Sequence, residues 1–569
     1  MKKKKSGAVR YLELNLGNSA GPSDRFTASR FRPDTELGIL RVIKRAAGDK
    51  KLSGIFINTS GFSANREYLW ELRNALEDCK ASGKKIVAYF HNADLDLYCL
   101  LSMADKIIMD QAGMLTFLGY SWGRVFVKES LKKLGVGFRE LRYLEYKSAN
   151  ETFSRTTISE VDREQYGIYL DEIFELSKKT IIENRSLREE DLNSLLSEGI
   201  LISPREAAAS RELGGPTLVD VLGREEAIKE TIKGMEFPDI EEGNEKEGKI
   251  HFISAGNMHF SFFNQGQKAA HYRAGRARGF RLPEIAVINA RGATDLDRGM
   301  EARIIDRTIR ELGEKPRVKA IIVRINSPGG SALAADFISE AIREVKKEIP
   351  VVVSLGQVAA SGGYWAAMNA SHICASPYTL TGSIGVIAGW FFDKGFNARL
   401  GLGFDALTRG DHADLATGII LPRRDLRDDE EAQFRRCIMD LYDEFVKKAA
   451  EGRNMKREGL EPLARGRVYS GSASQKLGLT DSLGGYLEAL EIARDLAKIR
   501  PSKKIRVREY PKPKFFETLA AKIISSASPG ILGKLLPAQT RDASQLWEDL
   551  SYRLSHNGEA MPILPLDLN

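Results

Sequence analysis

Val351-Val-Val-Ser-Leu-Gly-Gln-Val-Ala-Ala-Ser361-Gly-Gly-Tyr-Trp365 joins an apolar run to one serine, two glycines and an aromatic pair. An apolar run of this length closed by glycines predicts a buried strand that ends in a tight bend and opens a helix. Ser361 stands at the bend. A hydroxyl held there beside free backbone N–H groups has the geometry of a nucleophile, although the same residues also serve as a plain turn closing a core strand. The surrounding chain decides between the two.

Upstream, the same alternation of short apolar runs and amphipathic stretches recurs. Val9–Leu16 reads as a strand, Leu37–Ala46 as a helix, Gly54–Asn58 as a strand, Arg66–Ala81 as a helix and Lys85–Phe90 as a strand. Strands alternating with helices predict a parallel sheet. Polar helices are expected from Ser159 to Leu196, and a short apolar segment from Leu218 to Gly223. From Glu284 the pattern starts again. Gly54-Ile-Phe-Ile matches Ala320-Ile-Ile-Val, Ala104-Asp-Lys-Ile matches Ala370-Ser-His-Ile, and Leu134-Gly-Val-Gly-Phe matches Leu400-Gly-Leu-Gly-Phe, each pair 266 positions apart. Leu218–Gly223 likewise matches Leu479–Gly484. An internal repeat of this length predicts two tandem α/β domains. Their expected extents are 1–240 and 284–500, joined by an irregular segment at 241–283 and followed by an extension at 501–569.

The composition agrees with a large globular chain. At 569 residues it exceeds one hydrophobic core, and 43% apolar residues fill more than one. The net charge of +8 is a mild excess over a long chain and gives no sign of nucleic acid. The four lysines Lys2–Lys5 lead into a polar segment, so no signal peptide is read there. Cys79, Cys99, Cys374 and Cys437 lack metal-site spacing and are expected as small core residues. No metal and no cofactor is expected. The charge-free stretch from Ile349 to Phe392 is rich in Gly, Ser and Thr and contains Pro350 and Pro377, which fits a buried core and not a membrane span. Arg273, Arg276, Arg278 and Arg281 read as a solvated loop.

The repeat also selects candidate chemistry. Ser361 falls opposite Leu95, so the first copy lacks the hydroxyl, whereas Lys147 falls opposite Ala413, so the second copy lacks the amine. A serine needs a base, and a buried, neutral lysine can be one, because loss of hydration disfavours the ammonium form. A Ser361–Lys147 dyad follows. Asn326-Ser-Pro-Gly-Gly-Ser331 ends a strand with two adjacent glycines, suited to presenting backbone donors to an oxyanion. Beyond it, Phe337, Ile338, Ala341, Ile342 and Val345 are expected on the buried face of a helix.

Asn326-Ser-Pro-Gly-Gly330, Ala359-Ala-Ser-Gly-Gly-Tyr-Trp365, Leu380-Thr-Gly-Ser-Ile-Gly385 and Tyr146-Lys-Ser-Ala149 together resemble the long, duplicated form of the signal peptide peptidase A (protease IV) family. The resemblance runs from the first strand to about Asp481. It implies two tandem Clp protease/crotonase-like domains, each a parallel-rich sheet with flanking helices, and a serine endopeptidase that degrades cleaved signal peptides and other apolar peptides. By the same resemblance Ser361 is the nucleophile, Lys147 the general base, Gly330 and Gly362 the oxyanion-hole donors, and Ser383 the group that orients the lysine. It further implies a homotetramer and association with the inner membrane. The family's long members carry an N-terminal anchor and none is read here, which leaves peripheral attachment, a cytoplasmic location, or an anchor outside this sequence as the alternatives. An apolar stripe of Phe515, Phe516, Leu519, Ala520, Ile523 and Ile524 beside lysines is a candidate for membrane contact or, equally, for packing on the domain or a neighbouring subunit. A crotonase-like acyl-CoA enzyme and a non-catalytic peptide-binding scaffold are the competing functions.

Overall fold

The computed structural model describes residues 8–18, 35–209, 217–238, 248–255, 282–510, 550–554, 556–561 and 563. The lysine-rich start, the arginine segment, most of the charged link at 241–249 and the apolar stripe at 515–524 lie outside them. Packing divides the chain into two compact units: Met1–Tyr120, Asp171–Arg281 and Gly484–Glu488 form one, and Ser121–Leu170, Leu282–Leu483 and Ala489–Asn569 the other.

The strands in chain order are β1 (Val9–Asn15), β2 (Gly54–Asn58), β3 (Lys85–Asp94), β4 (Lys106–Thr116), β5 (Val136–Leu141), β6 (Val221–Leu222) and β7 (Ile250–Ser254). They continue with β8 (Glu284–Arg291), β9 (Val318–Ser327), β10 (Val351–Ala360), β11 (His372–Ala375), β12 (Leu380–Gly382), β13 (Ala388–Asp393), β14 (Val468–Ser470), β15 (Ser482–Leu483) and β16 (Arg506–Tyr510). In the first unit the sheet order is β6-β4-β3-β2-β1-β7, with every pair parallel. In the second, β15, β11, β10, β9, β8 and β16 pair in the corresponding order, again all parallel. The duplicated sequence therefore builds the same topology twice.

The second sheet divides between two strands the two-part pairing that β3 makes with β4 alone, along Val87–Phe90 and Asn92–Asp94. β10 is long enough to pair with β11 along Val352–Leu355 and with β12 along Val358–Ala360, and β14 joins β12 antiparallel. The break between the two pairings coincides with a register shift against β9 after Leu355. β10 therefore stays paired up to Ala360, and Ser361 follows directly at the sheet's end. A separate antiparallel pair, β5 with β13, sets Phe391 opposite Phe138 and Ala388 opposite Leu141.

The central strands are buried on both faces, as parallel strands covered by helices must be. Val351, Val352, Val353 and Leu355 are fully buried with Ile321, Ile322 and Val323. The helix Ala332–Val345 covers them, its first turn capped by the Ser331 side chain accepting from the Ala334 N–H. Ile338, Ala341 and Ile342 are fully buried, but Phe337 is not. Residues 334, 338, 341, 342 and 345 already fill one helical stripe, and Phe337 lies on its flank, so the expected membership of Phe337 is corrected. Cys437 is likewise exposed, while Cys79, Cys99 and Cys374 are buried. The Ile349–Phe392 stretch becomes β10, the helix Gly362–Ala367, β11, β12 and β13. Among the described residues no helix is long and apolar enough to cross a membrane.

Candidate active site

Ser361 terminates β10 and precedes the helix Gly362–Ala367. Its backbone sits at φ 58° and ψ −116°, a conformation that costs a non-glycine residue on the order of 1–3 kcal/mol and persists only where neighbours enforce it. They do so from both sides: its N–H donates to Gly382 O at 2.8 Å, and its carbonyl accepts from the Trp365 N–H at 2.8 Å. In the first unit the equivalent bend is unremarkable chemically. Leu95 opens the helix Leu95–Leu101, capped by the Asp94 side chain accepting from the Leu97 N–H.

Lys147 reaches this serine from the segment 121–170. That segment comes from the first repeat in sequence but packs within the second unit. The amine Nζ lies 2.6 Å from Ser361 Oγ, 2.9 Å from Ser383 Oγ and 3.0 Å from Ser383 O. Lys147 is 1% exposed and Ser361 0%. Burial drives the lysine well below the ordinary ammonium range, and the nearby Arg553 guanidinium pushes it in the same direction. No carboxylate contributes to that balance, so the neutral amine is favoured. Ser383 is held at φ 50° by donating its N–H to Arg467 O, which turns both of its oxygens onto the amine.

The lysine is itself clamped by residues that the sequence did not single out. Tyr146 N–H donates to Arg465 O, and Gln165 Nε2 donates to Tyr146 O. Arg124, fully buried, donates to Ser148 O at 3.0 Å and pairs with Asp162 at 2.8 Å. Asn150 Nδ2 donates to Ala388 O, and its Oδ1 accepts from Arg553 at 2.5 Å. Gly466, at φ 91°, passes so close that a Cβ there would lie 2.6 Å from Lys147 N and 2.7 Å from its Cα. We expect Gly466→Ala to displace the lysine backbone and reduce kcat/KM by roughly 10²-fold, since small misplacements of a reacting group carry such losses. Comparing kcat/KM with the thermal midpoint checks that the loss exceeds any change in stability.

Gly330 follows β9 at φ 148°, with Gly329 at φ 103°. Thr294 bridges this loop: its N–H donates to Gly329 O and its carbonyl accepts from the Ser331 N–H. Neither bond uses the Gly330 amide, which in a parallel bridge of this kind points to the opposite edge. A Cβ at Gly330 would lie 2.5 Å from Thr294 O. Gly362 is the first residue of the helix after Ser361, where backbone N–H groups lack intrahelical partners. Among the described residues no His, Cys, Asp and Glu cluster could hold a metal ion.

The arrangement can activate a hydroxyl with a neutral amine in a buried site beside backbone donors. Comparisons with known proteins bear on the same residues. The family model described as Peptidase family S49 matches residues 78–232 and 343–500, more than half of the chain, and these ranges contain Lys147, Ser361, Gly362 and Ser383. The chain is similar to Serine protease SPPA, chloroplastic, of Arabidopsis thaliana, at 28% identity over 86% of this chain and 69% of that protein. It is similar to Protease 4 of Haemophilus influenzae at 28% identity over 81% of this chain and 73% of that protein. A ClpP1 mutant from Listeria monocytogenes aligns at 15% identity and a TM-score of 0.25, over 36% of this chain and 94% of that one. With both matched ranges falling on the two copies of the repeat, the chain belongs to peptidase family S49.

Proposed function

We propose that this peptidase works through a Ser361–Lys147 dyad on extended apolar peptides, including signal peptides already released from their precursors. The observation that carries this is the 2.6 Å approach of a buried amine to a buried, strained serine. Neutral Lys147 accepts the Ser361 hydroxyl proton as Oγ attacks the scissile carbonyl. The Gly330 and Gly362 N–H groups receive the oxyanion, and Ser383 orients the amine. Collapse of the tetrahedral intermediate breaks the C–N bond, with the lysine ammonium returning its proton to the leaving amine. A water then deacylates Ser361 by the same proton route in reverse.

The sequence divides as duplicated domains 1–240 and 284–500, with the link 241–283 and the extension 501–569. In this division the first repeat supplies the base and the second the nucleophile. The family resemblance supports a homotetramer, and Leu400, Leu402, Phe404 and Leu407, all exposed, are an apolar run available to another copy. Peripheral contact with the inner membrane belongs to the same proposal.

The pH profile tests the base. With the amine required neutral and its pKa depressed by burial, kcat/KM for a signal-peptide-like substrate rises with pH through one ionisation well below 10.5 and then levels. A rate that falls over that interval, or turnover of an acyl-CoA thioester in place of the peptide, contradicts the proposal.

A further inference from the structure

Residues 556–561 and Ile563 lie beside β13, joined to the chain around it by hydrogen bonds and isolated bridges. Asn557 brackets Phe391, its Oδ1 accepting from the Phe391 N–H at 2.7 Å and its Nδ2 donating to Phe391 O at 2.9 Å. Gly558 N–H donates to Gly389 O at 2.9 Å. Met561 and Ile387 then exchange both backbone hydrogen bonds, at 2.8 and 3.0 Å, as an antiparallel pair. Ile563 bridges antiparallel to Gly329, next to the proposed oxyanion donor. Met561 and Ile563 are 5% and 1% exposed and pack with Ile387 and with Ala149, two residues beyond Lys147. The segment thus runs from the outer end of β13 to the glycine loop beside the dyad.

Main-chain pairing along a strand edge, with alternate side chains entering apolar pockets, is how an extended peptide is bound by strand addition. We propose that the segment carrying Asn557, Gly558, Met561 and Ile563 is an internal occupant of the peptide groove, which a substrate must displace. It marks two apolar subsites, one at Ile387 and one at Gly329, and it lowers apparent substrate affinity by the fraction of time the groove is filled. The proposal rests on the peptidase function given above for the same site, and it adds the regulation of that site by another segment of the same chain.

The test uses the full chain. On a Ser361→Ala background, a fluorescein-labelled apolar decapeptide is titrated by anisotropy, so binding is read without turnover. Met561→Asp with Ile563→Asp is expected to tighten its Kd about tenfold, and a synthetic peptide of residues 556–569 is expected to displace it competitively. Asn557→Ala, which removes only the two bonds to Phe391, is expected to tighten binding to a smaller extent and serves if the double variant does not fold. Unchanged affinity in a folded variant, or failure of the synthetic peptide to compete, overturns the proposal. A wild-type chain whose Ser361 resists a fluorophosphonate would instead overturn the peptidase mechanism, so the two failures are separable.

Discussion

Ser361→Ala is expected to reduce peptide turnover by at least about 10⁴-fold while leaving the fold intact, because the nucleophile of such a unit is not replaced by its neighbours. The hydroxyl is fully buried and its loss leaves Lys147 with both Ser383 oxygens, so the amine keeps partners. Ser361→Gly is expected to lose the same activity yet gain stability. Glycine adopts the φ of 58° without the Cβ cost that serine bears, worth on the order of 1–2 kcal/mol. Activity assays with matched denaturant titrations read both effects. If the alanine variant retained turnover, Ser361 would be a turn residue and nothing more.

Lys147→Met is expected to abolish activity to a similar extent and to stabilise the protein at neutral pH. The folded chain holds this amine below its ordinary pKa of 10.5, while the unfolded chain binds the proton up to that value. Between the two pKa values the unfolded state carries more protons, so wild-type stability rises as pH rises, and it is lowest below the folded pKa. Each unit of depression corresponds to about 1.4 kcal/mol. Methionine matches the length of the buried stem and has no proton for folding to remove. Denaturant midpoints measured from pH 6 to 10 should show a slope in the wild type that is absent in the variant. A methionine variant less stable than the wild type at every pH would mean that the amine contributes net favourable bonds.

The strand, bend and helix around Ser361 were legible because an apolar run, a small-residue bend and the 266-residue repeat all pointed the same way. The repeat was equally informative about Lys147, since a group present in one copy and lost from the other identifies divided labour. Sequence periodicity did not reveal that residues 121–170 pack within the unit of the second copy. The β5–β13 pair joins positions about 250 apart through short strands of mixed composition, and Leu402–Leu407, the repeat counterpart of β5, forms no strand. Gly466 and Arg553 gave no signal either. Their roles arise from proximity to Lys147 across more than 300 positions, which no local pattern encodes. The same holds for Met561 and Ile563, whose short apolar spacing acquires meaning only against the edge of β13.

The most direct measurement is the rate at which a fluorophosphonate labels Ser361, followed by mass spectrometry across pH in the wild type and in Lys147→Met. Labelling at Ser361 that accelerates with pH through a single depressed ionisation, and that disappears in Lys147→Met, is the predicted result. A serine that stays unlabelled, or one that labels at the same rate at every pH and without the lysine, would contradict the dyad.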